Sequence, residues 1–267
     1  MNVEWRRTDV PGDEERSARL AAAIAENVAA VRREIAAACQ GSGRDPAAVR
    51  LIAVTKSRGV EVLAPLRAAG VSDIAENRVE RLRLMRGAIG KPGAGVLALH
   101  GIGRLQSRQL PEVAANADCV HGLDDIGHAE RLHRLCGERG RRMPVFIQVS
   151  AAGEIQKAGV VPEKLPALIA AVRALDALDL VGLMTMAPEI DPAWPEGPDE
   201  TAVRACFARV AELARAHGLS RLSMGMSQDF AWAVAAGATE VRIGTRLFLN
   251  APENPPETSF ENPAEGA

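Results

Sequence analysis

Lys56 closes the run Leu51-Ile-Ala-Val-Thr-Lys56. The five residues before it read as a buried strand, and an apolar strand has no packing use for an ammonium group. At the C-terminal end of a strand in a parallel barrel, a lysine stands where barrel active sites lie. Partial desolvation there lowers an amine's pKa and makes it a nucleophile suited to Schiff-base chemistry. A lysine after a strand also simply begins a loop, so Lys56 alone does not decide between the two readings.

Two glycine-containing segments sharpen the choice, Ser223-Met-Gly-Met-Ser227 and Arg242-Ile-Gly-Thr245. Each reads as a strand running into a helix with hydroxyl groups nearby. Glycine lets backbone N–H groups approach an anion, and Ser or Thr adds hydroxyl donors. Either turn alone is an ordinary glycine turn. As a pair after the seventh and eighth strands of a barrel they occupy its usual phosphate site. A phosphate beside a strand-end lysine suits pyridoxal phosphate, or a phosphorylated aldehyde or ketose as substrate.

Other constellations are weaker. Gly101-Ile-Gly103 lacks the third glycine of a dinucleotide fingerprint, with Gln106 in its place. His100, His121, His128, His133 and His217 show no metal-ligand spacing, so no metal is expected. Glu76 could be an acid/base group, but a helix cap is the simpler reading.

The elements that would position these groups alternate regularly. Leu20, Ile24, Val28, Val31, Ile35 and Cys39 recur at steps of three or four, which predicts a long helix from residue 13 to about 41. Short apolar strands follow at 51–55, 71–75, 96–100, 118–121, 144–149, 180–184, 221–224 and 240–243, with helical stretches between them. Alternating β and α implies parallel strands. Eight units without a composition break predict a single (β/α)8 TIM barrel with an extra N-terminal helix, in preference to an open doubly wound sheet. The barrel domain is expected over 13–249, with a flexible lead at 1–12 and a disordered tail at 250–267. The proline-rich stretch 187–198 reads as a loop on the C-terminal face.

Composition removes several function classes. The chain has 267 residues, 47% hydrophobic and 25% charged, with net charge −2, so no basic field points to nucleic acid or an anionic membrane. No run approaches a membrane span, and the first residues carry no apolar signal region. Cys39, Cys119, Cys136 and Cys206 form no CxxC pair, which fits reduced thiols in a cytoplasmic protein.

Taken in order, Ala53-Val-Thr-Lys56, Glu76-Asn77-Arg-Val-Glu80, His100-Gly-Ile-Gly-Arg-Leu-Gln-Ser107, Gly182-Leu-Met-Thr185, Leu222-Ser-Met-Gly-Met-Ser227 and Val241-Arg-Ile-Gly-Thr245 resemble the pyridoxal-phosphate homeostasis proteins. The resemblance runs from about residue 20 to 249. It implies a barrel like the N-terminal domain of alanine racemase and a Schiff base between Lys56 and the cofactor aldehyde. It also implies Asn77 near the ring, and Ser223, Ser227, Gly244 and Thr245 on the phosphate. Arg242 would face the pyridine nitrogen and disfavour its protonation, which weakens the ring as an electron sink. The chain departs from the family pattern at Arg78, at Arg108-Gln109 and at Ser150.

The resemblance also implies a carrier role: binding pyridoxal 5'-phosphate, buffering the free aldehyde, and handing it to apo pyridoxal-phosphate enzymes, as a monomer. The alternative is a pyridoxal-phosphate enzyme with weak amino-acid racemase activity, and a third reading is a Schiff-base aldolase. Alanine racemase uses a tyrosine as its second base, and this chain has no tyrosine. No catalytic residues are therefore assigned.

Overall fold

The structure, a computed structural model, describes residues 13–93, 97–151, 158–190, 193 and 199–252. Eight strands form the barrel: β1 (Arg50–Val54), β2 (Asp73–Glu76), β3 (Ala98–Gly101), β4 (Cys119–Leu123), β5 (Met143–Gln148), β6 (Leu178–Met184), β7 (Arg221–Ser223) and β8 (Glu240–Ile243). They pair in that order, all parallel, and β8 closes onto β1 through Leu51↔Val241 and Ala53↔Ile243. The helices are α1 (Asp13–Ser42), α2 (Leu63–Ala68), α3 (Val79–Ile89), α4 (Leu110–Asn116), α5 (Ile126–Gly137), α6 (Leu165–Arg173), α7 (Glu200–Ala216) and α8 (Phe230–Ala235). The expected barrel and its extra N-terminal helix are both present.

The strands alternate because each has two faces to satisfy. Leu51, Ala53, Ile74, Leu99, Val120, Val145 and Ile147 join one apolar shell with the helices. The opposite faces fill the barrel interior, where two small apolar groups form. One is Ile52, Val54 and Ala75, and the other is Cys119, Phe146 and Met184. Between them lie Asp73, His100, His121, Ser223, Glu240 and Arg242, all buried. A barrel interior is ordinarily packed with branched aliphatics. Here a large share of it is polar, so hydrogen bonds and ion pairs must satisfy what burial strips of water.

The stripe anticipated on α1 is buried in full: Leu20, Ile24, Val28, Val31, Ile35 and Cys39. It packs against α2, α8 and the short 3-10 helix Thr245–Phe248 that follows β8. The Asn27 amide donates to the Leu249 carbonyl at 2.8 Å and to that of Leu247 at 3.2 Å, and Arg246 pairs with Glu34. The extra helix thus fastens the segment that leaves β8. Two other helices are capped as their sequences suggest. Asp125 accepts from the His128 N–H at 3.0 Å to start α5, and Asp199 accepts from that of Ala202 at 2.9 Å to start α7.

Strand limits differ from the expected ones by one or two residues, and the difference matters at β4. This strand begins at Cys119 and continues to Leu123, which places His121 inside the barrel wall and not at its rim. Gly122 permits the extension, because a Cβ there would collide with the Gly103 carbonyl. The expected lead at 1–12 lies outside the described residues. So do 253–267 of the expected tail and most of the loop at 187–198. Among the described residues no helix is long and apolar enough to cross a membrane.

Candidate functional site

Strand register assembles the mouth. Ala53 on β1 pairs with Ile243 on β8 and with Ile74 on β2. Lys56 therefore follows the strand flanked by β2, which runs into Asn77, and by β8, which runs into Gly244-Thr245. Lys56, Asn77 and Thr245 are exposed, and Ser227 is half-buried. None of their side chains makes a hydrogen bond or ion pair among the described residues. Partial burial of Lys56 was expected, whereas the residue is exposed. The strand ends at Val54, and Thr55 to Arg58 turn outward over a 2.8 Å bond from the Arg58 N–H to the Thr55 carbonyl.

The loops after β7 and β8 are joined to each other. The Arg242 N–H donates to the Gly225 carbonyl at 2.9 Å. Gly225 has φ +94°, and a Cβ there would lie 2.6 Å from the Ala233 Cβ and 2.9 Å from the Phe230 Cα. Only glycine fits this turn. The loop is then pinned by the Met226 N–H, which donates to the Asp229 carboxylate at 2.6 Å. Burial pushes the Asp229 carboxyl up, against that hydrogen bond and the charge of Arg242. Gly244 is different: a Cβ there would meet Val54 at an ordinary 3.5 Å.

Arg242 is buried, and its partners are neutral. One guanidinium nitrogen donates to Ser223 Oγ at 2.7 Å and the other to the Thr185 carbonyl at 3.0 Å. No carboxylate among the described residues lies within ion-pair distance. Burial brings the guanidinium pKa down to about 10, with Asp229 and Glu240 opposing from further away. A buried cation with only neutral partners is an open electrostatic position that an electron-rich group would fill. Ser223, expected on the phosphate, lies fully buried beneath the mouth. Its hydroxyl is engaged by Arg242 and by His121 Nδ1 at 2.7 Å. The other expected residues, Lys56, Asn77, Ser227, Arg242, Gly244 and Thr245, gather at the C-terminal end of the barrel.

Glu76 is not the helix cap that its place in the sequence suggested. It ends β2, fully buried, while Arg78 occupies the position before α3 and contributes no side-chain cap. Glu76 Oε1 accepts from the Thr55 hydroxyl at 2.6 Å and faces Arg81 at 3.3 Å. Burial raises the carboxyl's pKa despite both partners. A carboxylate in that place could not be read from a spacing of one residue to Asn77.

The barrel interior also holds a cluster that sequence spacing hid. His100, Cys119 and His121 bring ligand-type atoms within 4.8 Å of one another. His100 comes from β3, while Cys119 and His121 both come from the adjacent β4, and His121 lies 21 residues further along the chain than His100. His100 Nδ1 and His121 Nε2 are 2.8 Å apart, a hydrogen-bond distance. Two nitrogens on one tetrahedral ion at about 2.05 Å each would stand roughly 3.3 Å apart. Burial pushes the Cys119 thiol up to about 12. The two imidazoles are organised by a shared proton, and the Cys119 sulfur beside them stays a thiol.

An eight-stranded parallel barrel with an amine ending β1 and joined glycine–hydroxyl turns after β7 and β8 defines the alanine racemase N-terminal class of barrel. The description "Alanine racemase, N-terminal domain" matches residues 21–252. A pyridoxal phosphate homeostasis protein of Pseudomonas aeruginosa is 41% identical over 234 residues, covering 84% of this chain and 94% of its own length. One of Deinococcus radiodurans is 39% identical over 223 residues, covering 83% of this chain and 99% of its own. The structure of PipY from Synechococcus elongatus, solved with PLP bound, superposes with a TM-score of 0.69 at 32% identity over 84% of this chain and 99% of PipY. The chain belongs to the pyridoxal phosphate homeostasis protein family.

Proposed function

We propose that this chain binds pyridoxal 5'-phosphate covalently through Lys56 and serves intracellular homeostasis of that cofactor, without a catalytic cycle of its own. The observation that carries the reading is Arg242. It is a buried guanidinium with neutral partners, on the strand whose end turns beside Lys56. A pyridine ring nitrogen is an acceptor of the kind this position lacks. The hydroxyls of Ser227 and Thr245, without partners among the described residues, and the backbone of Gly244 at the start of a 3-10 turn suit a phosphate dianion. Asn77 stands on the other flank of Lys56. Ser223 serves this site through Arg242, holding the guanidinium from below.

When bound, the cofactor contributes an aldehyde that an amine can capture reversibly. The chain's part is to present the Lys56 amine, to hold the phosphate between two loops and to keep a cation on the ring nitrogen's side. A cation there disfavours ring protonation and so suits storage better than carbanion chemistry. Two-base racemisation lacks its tyrosine, since the chain has none. Release of the cofactor to apo pyridoxal-phosphate enzymes, in the cytoplasm and from a monomer, completes the reading.

Absorption spectroscopy tests it. Pyridoxal phosphate added to the purified chain should produce a visible band that Lys56→Ala abolishes. A chain that stays colourless with added cofactor overturns the proposal. Amino-acid turnover that disappears in Lys56→Ala would overturn the non-catalytic part of it.

A further inference from the structure

A line of buried polar side chains crosses the barrel interior from Arg242 to the opposite face. Arg242 donates to Ser223 Oγ at 2.7 Å, and Ser223 Oγ meets His121 Nδ1 at 2.7 Å. His121 Nε2 meets His100 Nδ1 at 2.8 Å, and His100 Nε2 meets Asp73 Oδ1 at 2.9 Å. Each member is at most 4% exposed. Asp73 also accepts from Arg50 at 2.9 Å and from the Ser72 hydroxyl at 2.5 Å. Arg50, Ser72 and Asp73 line a cavity of about 680 Å³ on the N-terminal side of the barrel, away from Lys56.

Elementary donor counting fixes the direction of every bond. A guanidinium has no acceptor, so Ser223 Oγ accepts from Arg242 and its own proton must go elsewhere. Among the described residues, the only other hydrogen-bond neighbour of that oxygen is His121 Nδ1, which therefore accepts. His121 then carries its proton on Nε2 and donates to His100 Nδ1. His100 in turn carries its proton on Nε2 and donates to the Asp73 carboxylate. The reverse arrangement would need an imidazolium at His100, would give Ser223 Oγ two donors, and would leave its hydroxyl proton buried without an acceptor. It would also add a cation to an interior that already holds the buried Arg242.

We propose that Asp73, His100, His121 and Ser223 are positioning residues: one hydrogen-bond chain of fixed polarity that holds the Arg242 guanidinium in place and couples its charge to a carboxylate on the far side of the barrel. The chain of bonds stands on this protein's own atoms. Its effect on the cofactor rests on the function proposed above. It is not a proton conduit, because reversing it requires Arg242 to give up a proton. Groups in hydrogen bonds of one direction polarise each other, so a change at Asp73 is felt at Arg242. The charged and titratable groups facing the two imidazoles are Arg50 from β1, Asp73 from β2, Cys119 from β4, Arg221 from β7, and Glu240 and Arg242 from β8. Phe146 of β5 stacks on His121 with centroids 4.3 Å apart and excludes water from that side.

Two measurements test the proposal. Nitrogen-15 NMR of the imidazoles in the full chain, without added cofactor, should find both His100 and His121 neutral and protonated on Nε2. An imidazolium, or a proton on Nδ1 of either ring, overturns the fixed polarity. The second measurement titrates Asp73→Asn and His121→Phe with pyridoxal phosphate and follows the visible band against pH. The expected result is binding weakened about tenfold and a pH midpoint of the band moved by about half a unit or more. His121→Asn, which keeps an acceptor for Ser223, should recover part of the loss. Variants that lose thermal stability while keeping wild-type affinity, band and pH midpoint overturn the coupling. If the wild-type chain binds no cofactor, the proposed function fails, and the NMR result still decides whether the chain of bonds exists as drawn.

Discussion

The Thr55 hydroxyl donates to Glu76 Oε1 at 2.6 Å, so the residue before Lys56 and the residue before Asn77 are tied together beneath the mouth. Both are fully buried, and Glu76 Oε2 has no partner among the described residues. A full charge is therefore poorly served there, and burial raises the carboxyl's pKa. The proton is held more tightly in the folded chain than in the unfolded one. The associated stability is present below the unfolded value near 4.5 and is lost as pH rises through the raised folded value. Glu76→Gln should remove that loss. Urea midpoints measured from about pH 4 to about pH 8 should show the wild type falling relative to the variant as pH increases. Glu76→Ala should instead cost about 1–3 kcal/mol by stranding Thr55 and Arg81.

Asp73 titrates in the opposite sense. Burial raises its pKa, but the hydrogen bonds from His100 and Ser72 and the charge of Arg50 outweigh it and hold the carboxyl at about 2. Its contribution is complete above the unfolded value of 3.8 and is lost as pH falls from there toward 2. A shift of this size corresponds to about 2 kcal/mol. Asp73→Asn should lower stability by about that amount near neutrality and flatten the acid limb of the stability curve. An unchanged acid limb in the variant would contradict the pairing.

Gly225 sits at φ +94°, where an added Cβ would meet the first turn of α8. Gly225→Ala should destabilise the chain by about 1–3 kcal/mol, since strain and overlap act together. It should also weaken cofactor binding, because the same turn carries Ser227. Thermal unfolding and a cofactor titration on one preparation would register both effects.

Ser227 and Thr245 have hydroxyls without partners among the described residues, so removing them takes no described contact from the folded chain. Ser227→Ala and Thr245→Val should leave the unfolding temperature unchanged. Each should weaken pyridoxal phosphate binding about tenfold or more, as expected for a hydrogen bond to a charged group. A variant that binds normally would place the phosphate elsewhere.

Much of this molecule is written in local periodicity. The steps of three and four on α1, the eight short apolar runs and the glycine turns after the last two strands each depend on neighbours along the chain. Periodicity reports which face of an element is apolar. Lys56 and the turns holding Gly225 and Gly244 were legible for that reason, and so was the barrel that brings them together. The motif order added the family.

The barrel interior was not legible, because its partners are set by closure and register. His100 and His121 are 21 residues apart, His121 and Ser223 are 102 apart, and nothing in their spacing links them. Each sits on the inward face of a different strand, and only pairing of those strands at one level brings the ring nitrogens into line. The same holds for Glu76, which becomes a buried partner of Thr55 once β1 and β2 are in register. The exposure of Lys56 was a tertiary outcome too, since desolvation depends on what covers an atom and not on what precedes it in the chain.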